Sequence, residues 1–368
     1  MGYIKIEARP VLPGDPLGFE GSHLYFHYAV DFANPGTDSL IRAGPTGTAG
    51  NWGSIAGFVD VPINVTPDAY PANDPTGSTR PFAYLNIGFQ DSDAYWANMG
   101  AMAVGMLAQG YSYNPFPAVQ LGGFSEANAG KYFAHNSNSF ITSMLYHLGF
   151  DPAATLPTGL TGTEGFYTLL DIPGAHTLSA VGFFKDIMAG DGNDTVTGDG
   201  EQNFLFGGSG IDNINGADGN DVLLGEANGD VLTGGNGDDW LFGGTGIDTL
   251  RGGSGFDVLT GGSANDTFDF NAIADSTATT AGADQIVDFL QGTDKIDVST
   301  IDADSGVSGN QAFVFIGTDA FTAPGQLRYT AGLTATVVQI NVTGTGGPEM
   351  TIIVKPAGLV LTAADFIL

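Results

Sequence analysis

The chain has no cysteine, few basic residues and no long apolar run, and each shortage excludes a class of protein. Without cysteine no disulfide forms, so an extracellular form needs another source of stability. Only 10 lysines and arginines stand against 40 acidic residues, a formal net charge of −30. Nucleic acid and anionic membrane are therefore poor partners, because both require basic patches. No run is long enough to span a bilayer, and residues 1–7 lack the apolar centre of a secretory signal peptide.

Glycine is abundant instead, at 57 of 368 residues, far above average usage. Much of it lies in nine consecutive nine-residue units between Ala189 and Asp269, without insertions. Position eight of each unit is apolar, and position six is acidic in eight units: Asp194, Asp212, Asp221, Asp230, Asp239, Asp248, Asp257 and Asp266. A flexible glycine-rich linker is the alternative interpretation, but linkers do not keep two residue types at fixed offsets.

The repeat predicts stacked turns that bind a metal ion. Glycines before each Asp allow a tight turn at the start of each unit, and the last three residues, such as 240–242, are extended with one side chain facing inward. Stacking brings carboxylates beside main-chain carbonyls, an all-oxygen cage that suits calcium better than magnesium. Unneutralised carboxylates would repel one another, so we expect several calcium ions to drive folding.

These units resemble the RTX calcium-binding nonapeptide, which implies a parallel β-roll. Unit two departs from the pattern, with Glu201 in place of glycine and Asn203 in place of aspartate, which puts its calcium site in question.

The residues after the repeat resemble the C-terminal domain of serralysin-type secreted proteases. The resemblance is carried by segments 283–289, 292–299 and 325–329 and by the terminal segment 361–368. It implies export from a bacterium through a type I secretion apparatus, with Asp365-Phe366-Ile367-Leu368 as an uncleaved signal. The alternative is an ordinary C-terminal strand. Low calcium inside the cell would keep the repeat unfolded, and higher calcium outside would fold it.

Residues 1–188 lack the nonapeptide and predict a separate α+β domain. Alternation over 23–30 predicts a strand with His23, Tyr25 and His27 on one face, which pairs as a hairpin with a strand at 39–42. One helix is predicted after Asp93, with a methionine stripe in the core, and a second from His135 to Gly149.

The N-terminal domain has no H-E-x-x-H, G-x-S-x-G or P-loop motif. Its remaining candidates for chemistry are Ser137, at the start of the second helix, and His23. Helix N-termini stabilise negative charge, so a hydroxyl there is well placed as a nucleophile, with His23 as base. Asp38 is a candidate orienting group. The alternatives are that Ser137 only caps the helix and that His23 is an ordinary strand residue.

At motif level this domain resembles circularly permuted papain-like hydrolases, namely the lecithin:retinol acyltransferase group and the PPPDE-type peptidases. In those families a histidine on a strand precedes an N-C-x-x-F segment that starts a helix. Here the corresponding segment is Asn136-Ser137-Asn138-Ser139-Phe140, with serine in place of cysteine. The resemblance implies either a serine version of the site or an inactive one.

Taken together, the sequence predicts three domains: an α+β domain (1–188), a calcium-binding β-roll (189–269) and a β-rich C-terminal domain (270–368). The expected protein is secreted and calcium-dependent. Its N-terminal domain either hydrolyses an acyl bond, amide or ester, in an unknown extracellular substrate or acts without catalysis as a ligand-binding or surface-matrix component.

Overall fold

The architecture is taken from a computed structural model of the 368-residue chain. The structure describes residues 3–10, 22–29, 39–45, 55–62, 82–84, 99, 101–103, 106, 137–148, 168–170, 174–180, 186–344 and 346–368. The chain divides into two compact units, one comprising 1–173 with 182–184 and the other 174–181 with 185–368.

The first unit contains a five-stranded antiparallel sheet in the order β4-β3-β2-β1-β5. Its strands are β1 (Tyr3–Pro10), β2 (Ser22–Ala29), β3 (Ser39–Pro45), β4 (Ile55–Pro62) and β5 (Phe82–Tyr84), and a short strand β6 (Thr168–Leu170) follows later. The predicted hairpin is confirmed, because β2 and β3 pair with Tyr28 opposite Ser39.

Helix α1 (Ser137–His147) packs against β2, β3 and β6. Its residues lie within the range predicted from the sequence, His135 to Gly149. Ile141, Met144 and Leu145 are buried on it. The earlier methionine stripe is also helical and buried at Met99 and Met106, as the helical spacing predicts.

The second compact unit, residues 174–181 with 185–368, contains a parallel β-roll, which confirms the predicted fold. Its strands in the repeat region are β7 (Thr177–Ser179), β8 (Asp186–Asp191), β9 (Thr195–Thr197), β10 (Phe204–Ser209), β11 (Asn213–Asp218), β12 (Val222–Ala227), β13 (Val231–Asn236), β14 (Trp240–Thr245), β15 (Thr249–Ser254), β16 (Val258–Ser263) and β17 (Thr267–Asp269). Even-numbered strands form one sheet and odd-numbered strands the other, so one turn of the roll takes two units. Every position-eight side chain, from Val196 to Phe268, is fully buried between the sheets.

The turns lie elsewhere in the unit than the sequence predicts. Most strands start at position seven and continue through the first three positions of the next unit, as in Trp240–Thr245. The paired glycines are therefore inside the parallel ladder, where Gly244 lies opposite Gly262. The prediction that each unit starts with a turn is wrong because identical units stacked in register can pair through their glycines. The bend falls at positions four to six.

The roll extends beyond the repeat at both ends. Before it, β7 pairs in parallel with β9. After it come β18 (Gln285–Ile286), β19 (Lys295–Asp297), β20 (Val314–Phe315), β21 (Gln326–Ala331), β22 (Thr336–Asn341), β23 (Met350–Val354) and β24 (Phe366–Ile367), with short 3-10 helices at Ile273–Asp275 and Ala363–Asp365. Strands β18, β19 and β24 add parallel rungs, whereas β21, β22 and β23 form an antiparallel meander.

Candidate metal centre

The position-six carboxylates are held in place by main-chain hydrogen bonds between successive turns of the roll. The N–H of Asp212 donates to Oδ1 of Asp230 at 2.8 Å, and the N–H of Asp230 donates to Oδ1 of Asp248 at 2.7 Å. The same bond recurs along the repeat with a sequence separation of 18 residues. One oxygen of each carboxylate is thus fixed by the fold itself.

The second oxygen of each carboxylate is buried without a hydrogen-bond partner among the described residues. This holds for Oδ2 of all eight predicted ligands: Asp194, Asp212, Asp221, Asp230, Asp239, Asp248, Asp257 and Asp266. Their side chains are almost completely buried. A buried carboxylate oxygen without a donor is costly, so eight in regular array fit a positively charged partner such as a bound cation.

Glycine provides the space beside the unpartnered oxygen in seven of the eight repeats, from Gly207 beside Asp212 to Gly261 beside Asp266. A Cβ on Gly216 would overlap Oδ2 of Asp221 and lie 2.6 Å from the carbonyl oxygen of Gly234 on the next turn. Carboxylate and carbonyl oxygens therefore face the same small space, which only a residue without a side chain leaves open. Such oxygen-only surroundings fit calcium.

Burial raises the pKa of all eight carboxyl groups above the ordinary value of aspartate, and neighbouring carboxylates raise it further in six of them. Loss of hydration is the largest cause. The pKa of Asp221 and of Asp230 rises to about 8, and that of Asp257 to about 7. Main-chain hydrogen bonds lower the pKa of each group in part. At neutral pH the array therefore favours bound cations or protons over free charge.

Among the described residues, no three acidic or histidine side chains converge on one point. Each site must then combine one or two carboxylates with main-chain carbonyls, as the sequence predicts. This composition separates the turns from zinc sites, which are built from histidine and cysteine side chains.

The second nonapeptide, residues 198–206, differs from the other repeats, in line with its sequence. The Asn203 Oδ1 accepts a hydrogen bond from the N–H of Asp199 at 2.7 Å, and its Nδ2 donates to Oδ1 of Asp199 at 3.3 Å. A Cβ on Gly198 would overlap Asn203 Oδ1, so the amide oxygen takes the place that a carboxylate oxygen has elsewhere. Within this turn a hydrogen bond satisfies the oxygen that a cation would contact.

Two residues outside the repeat continue the carboxylate series, and sequence periodicity missed both. The N–H of Asp257 donates to Oδ1 of Asp284, and that of Asp266 to Oδ1 of Asp294, each at 3.1 Å. Asp284 Oδ2 is buried without a partner in the described part of the chain, and burial raises the pKa of Asp284 to about 9. Their spacings of 27 and 28 residues break the period. The available signal was an Asp followed by alternating apolar residues, as in Asp284-Gln285-Ile286.

The predicted catalytic pair lies in the first unit. Ser137 is the first residue of α1, and His23 lies in β2 opposite Arg9 of β1. Helix α1 packs against β2, so the two candidates belong to contacting elements. Their side chains and Asp38 lie outside the described residues.

Comparisons with known proteins concern the second unit. Residues 186–214 match the RTX calcium-binding nonapeptide repeat, and residues 207–368 match the family described as Peptidase M10 serralysin C terminal. Similar solved structures include two subunits of the Azotobacter vinelandii mannuronan C5-epimerase. The AlgE6R3 subunit is 25% identical over 45% of this chain and 78% of its own, with a TM-score of 0.29. The AlgE6R2 subunit is 26% identical over 53% of this chain and 91% of its own, with a TM-score of 0.28.

No curated protein matches the chain. Within the described residues, no helix has the length and apolar character to cross a membrane.

Proposed function

Because residues 186–368 consist of RTX calcium-binding repeats and a serralysin-type C-terminal region, we propose that this is a secreted protein whose β-roll folds when it meets calcium outside the cell. The observation that carries the proposal is the row of eight buried Oδ2 atoms without partners in the described structure. Calcium supplies the positive charge that these oxygens lack. The named aspartates and the carbonyls of the glycine-rich turns hold the ions.

Calcium titration of the chelated full-length chain tests this proposal. We expect the β-type circular dichroism to rise cooperatively with calcium and to be lost on adding chelator. Magnesium at the same concentration serves as the control and should produce less folding, because it requires rigid octahedral geometry. Spectra that are identical with and without calcium would overturn the proposal.

The extreme C-terminus is the proposed export signal, and in the folded chain it is part of the roll. Asp365 Oδ1 accepts a hydrogen bond from the N–H of Gly292 at 3.0 Å, and its Oδ2 accepts one from the N–H of Thr362 at 2.7 Å. Phe366 is buried and lies opposite Ile296 in the parallel pair formed by β24 and β19. Asp365 and Phe366 of the proposed signal are thus accessible only before the roll folds, whereas Ile367 stays exposed in the folded chain. The burial of the first two residues fits export of an unfolded chain.

Removal of residues 365–368 tests the signal in cells that carry a type I secretion apparatus. We expect export to be lost, whereas Leu333→Ala, at a fully exposed position, should be exported normally. The purified truncated protein is titrated with calcium in parallel. Full export of the truncated chain would refute the signal, and a normal calcium response would show that the roll proposal stands separately.

For the N-terminal domain we propose acyl-bond hydrolysis by Ser137 with His23 as general base. The packing of α1 on β2 supports this assignment, because it places the helix start and the histidine strand in contacting elements. A fluorophosphonate probe should label the calcium-loaded protein, and Ser137→Ala should abolish labelling while Ser139→Ala retains it. Absence of labelling in the folded protein would favour the non-catalytic ligand-binding or matrix role.

A further inference from the structure

The chain contains three Asn-Gly pairs, at 215–216, 228–229 and 236–237, all in the roll. In such a pair the main-chain nitrogen of glycine can attack the side-chain amide carbon of asparagine, because glycine offers no side chain to obstruct the approach. The reaction needs a glycine N–H and an asparagine amide that are both free to move. The three pairs differ in how far hydrogen bonds restrain these two groups.

Two of the pairs are restrained. Gly216 lies inside β11, which is paired with β9 on one side and β13 on the other. The N–H of Gly237 donates to the carbonyl oxygen of Ser254 at 2.8 Å. The Asn236 amide is held as well, since its Nδ2 donates to Oδ1 of Asp218 at 2.6 Å.

The pair Asn228-Gly229 lies in the turn between β12 and β13, and its asparagine is exposed. Among the described residues, neither the Gly229 N–H nor the Asn228 side chain has a hydrogen-bond partner. Asn228 also has a φ of 77°, in the left-handed region. Glycine occupies the same position of most units, with φ between 128° at Gly219 and 146° at Gly210.

The free N–H of Gly229 has a specific cause. In three other turns the position-five N–H donates to the position-five side chain one turn earlier. The N–H of Ile211 donates to Asn193 Oδ1 at 2.9 Å, and that of Phe256 donates to Asp238 Oδ1 at 2.9 Å. The residue one turn before Gly229 is Ile211, whose side chain has no acceptor. The Gly229 nitrogen is therefore left available.

We propose that Asn228 is a site of spontaneous deamidation that ages the calcium-binding roll. The Gly229 nitrogen forms a bond to Asn228 Cγ and loses its proton. The bond between Cγ and Nδ2 breaks, and the amide nitrogen takes up that proton and leaves as ammonia, which gives a cyclic succinimide. Water then opens the ring. The product is aspartate or, when the other carbonyl is attacked, isoaspartate, in which the main chain runs through the side-chain carbon.

Isoaspartate at position 228 would lie where two successive turns of the roll are closely stacked. A Cβ on Gly246 would overlap the carbonyl oxygen of Asn228, so the two turns are stacked tightly at this point. Isoaspartate adds one atom to the main chain two residues before Asp230, which is buried and holds the N–H of Asp212. We expect the modified turn to bind calcium more weakly.

Peptide mapping of the calcium-loaded full-length protein, incubated at mildly alkaline pH, tests the proposal. The peptide with Asn228 should gain about 1 Da and acquire isoaspartate. Its deamidation rate should be roughly tenfold higher than the rates of the peptides with Asn215 and Asn236. A tenfold ratio of rates corresponds to a difference of ~1.4 kcal/mol in activation free energy. In strong denaturant the three rates should converge, because the restraints are lost. Equal rates in the folded protein, or a slower rate at Asn228, would overturn the proposal.

A variant separates the modification from general ageing. Asn228→Gly restores the glycine found at this position in most units, and it should keep its calcium midpoint after incubation while the wild type shifts to higher calcium. If both proteins shift equally, Asn228 is not the ageing site. The wild-type mapping stands by itself should the variant fold poorly.

Discussion

The main-chain N–H of Asp221 donates a hydrogen bond to Oδ1 of Asp239 at 2.7 Å, one full turn of the roll away. The other oxygen of Asp239 is buried and has no partner among the described residues. One half of the carboxylate thus fixes the stacking of turns, and the other half faces the space that we assign to calcium. An amide at this position would keep the first role and lose the charge of the second.

We therefore expect Asp239→Asn to fold at a higher calcium concentration than the wild type. The amide oxygen can still accept the Asp221 N–H, but the site loses a formal charge, and calcium affinity depends on ligand charge. A roughly tenfold rise in the calcium midpoint would correspond to ~1.4 kcal/mol. Calcium titration followed by circular dichroism measures it.

The adjacent Asp238 offers the matched control. It is exposed, and its Oδ1 accepts the Phe256 N–H at 2.9 Å, a bond that asparagine preserves. Asp238→Asn should leave the midpoint nearly unchanged. Equal effects of the two substitutions would mean that the midpoint reports total charge rather than a site at Asp239.

In the second nonapeptide, a substitution can add a carboxylate rather than remove one. We expect Asn203→Asp to bind additional calcium, because it restores a carboxylate where the amide oxygen now accepts the Asp199 N–H. Equilibrium dialysis with metal analysis should show a higher calcium content per chain than in the wild type. An unchanged content, with normal folding, would show that this turn binds no calcium even with aspartate at position six.

Stability of the calcium-free roll should fall as pH rises. The pKa of Asp221 and of Asp230 is raised from 3.8 to about 8 in the fold. The folded state thus holds protons that the unfolded state releases, which stabilises it below the unfolded pKa. That stabilisation is lost as pH rises through the folded pKa, so the decline spans about pH 4 to 8.

Thermal unfolding in chelator at pH 5 and pH 8 measures this dependence. At pH 8 the chelated chain should show no cooperative transition, in keeping with its dependence on calcium, whereas at pH 5 protonation of the buried carboxylates should restore a measurable Tm. Asp221→Asn and Asp230→Asn should reduce this difference between the two pH values. A calcium-free roll that is more stable at pH 8 would contradict it.

Ala264 has a φ of 99°, in the left-handed region that residues with a Cβ avoid. Ala264→Gly should raise the stability of the calcium-loaded protein by about 1 kcal/mol, because it relieves this strain. Ala227→Gly is the control, since Ala227 lies in β12 without a positive φ and should lose about 0.5–1 kcal/mol instead. Differential scanning calorimetry distinguishes the two, and destabilisation by both would show that Ala264 is not strained.

The repeat could be predicted because its physics is local and periodic. Burial of the position-eight residues and of eight aspartates follows from spacing alone. The position of the turns does not, because pairing through glycines depends on the neighbouring turn rather than on the unit itself. Asp284 and Asp294 were missed because the segment between β17 and β18 shifts their spacing while the roll continues in space.

For the N-terminal candidates, the sequence predicts the local elements but not the contact between them. The helix at Ser137 and the strand at His23 follow from capping and alternation. Whether a serine and a histidine meet is decided by contacts between distant segments, which short motifs do not encode.

Main-chain N–H to carboxylate hydrogen bonds link ten aspartates and Asn203 into two series that share no member. Asp194, Asp212, Asp230, Asp248, Asp266 and Asp294 make one, and Asn203, Asp221, Asp239, Asp257 and Asp284 make the other. A substitution at one aspartate should therefore weaken calcium binding first at the other members of its own series, and only then at the opposite edge of the roll. Paired lesions at Asp230 and Asp248 would be non-additive, whereas those at Asp230 and Asp239 would approach simple addition, although the second pair is closer in sequence.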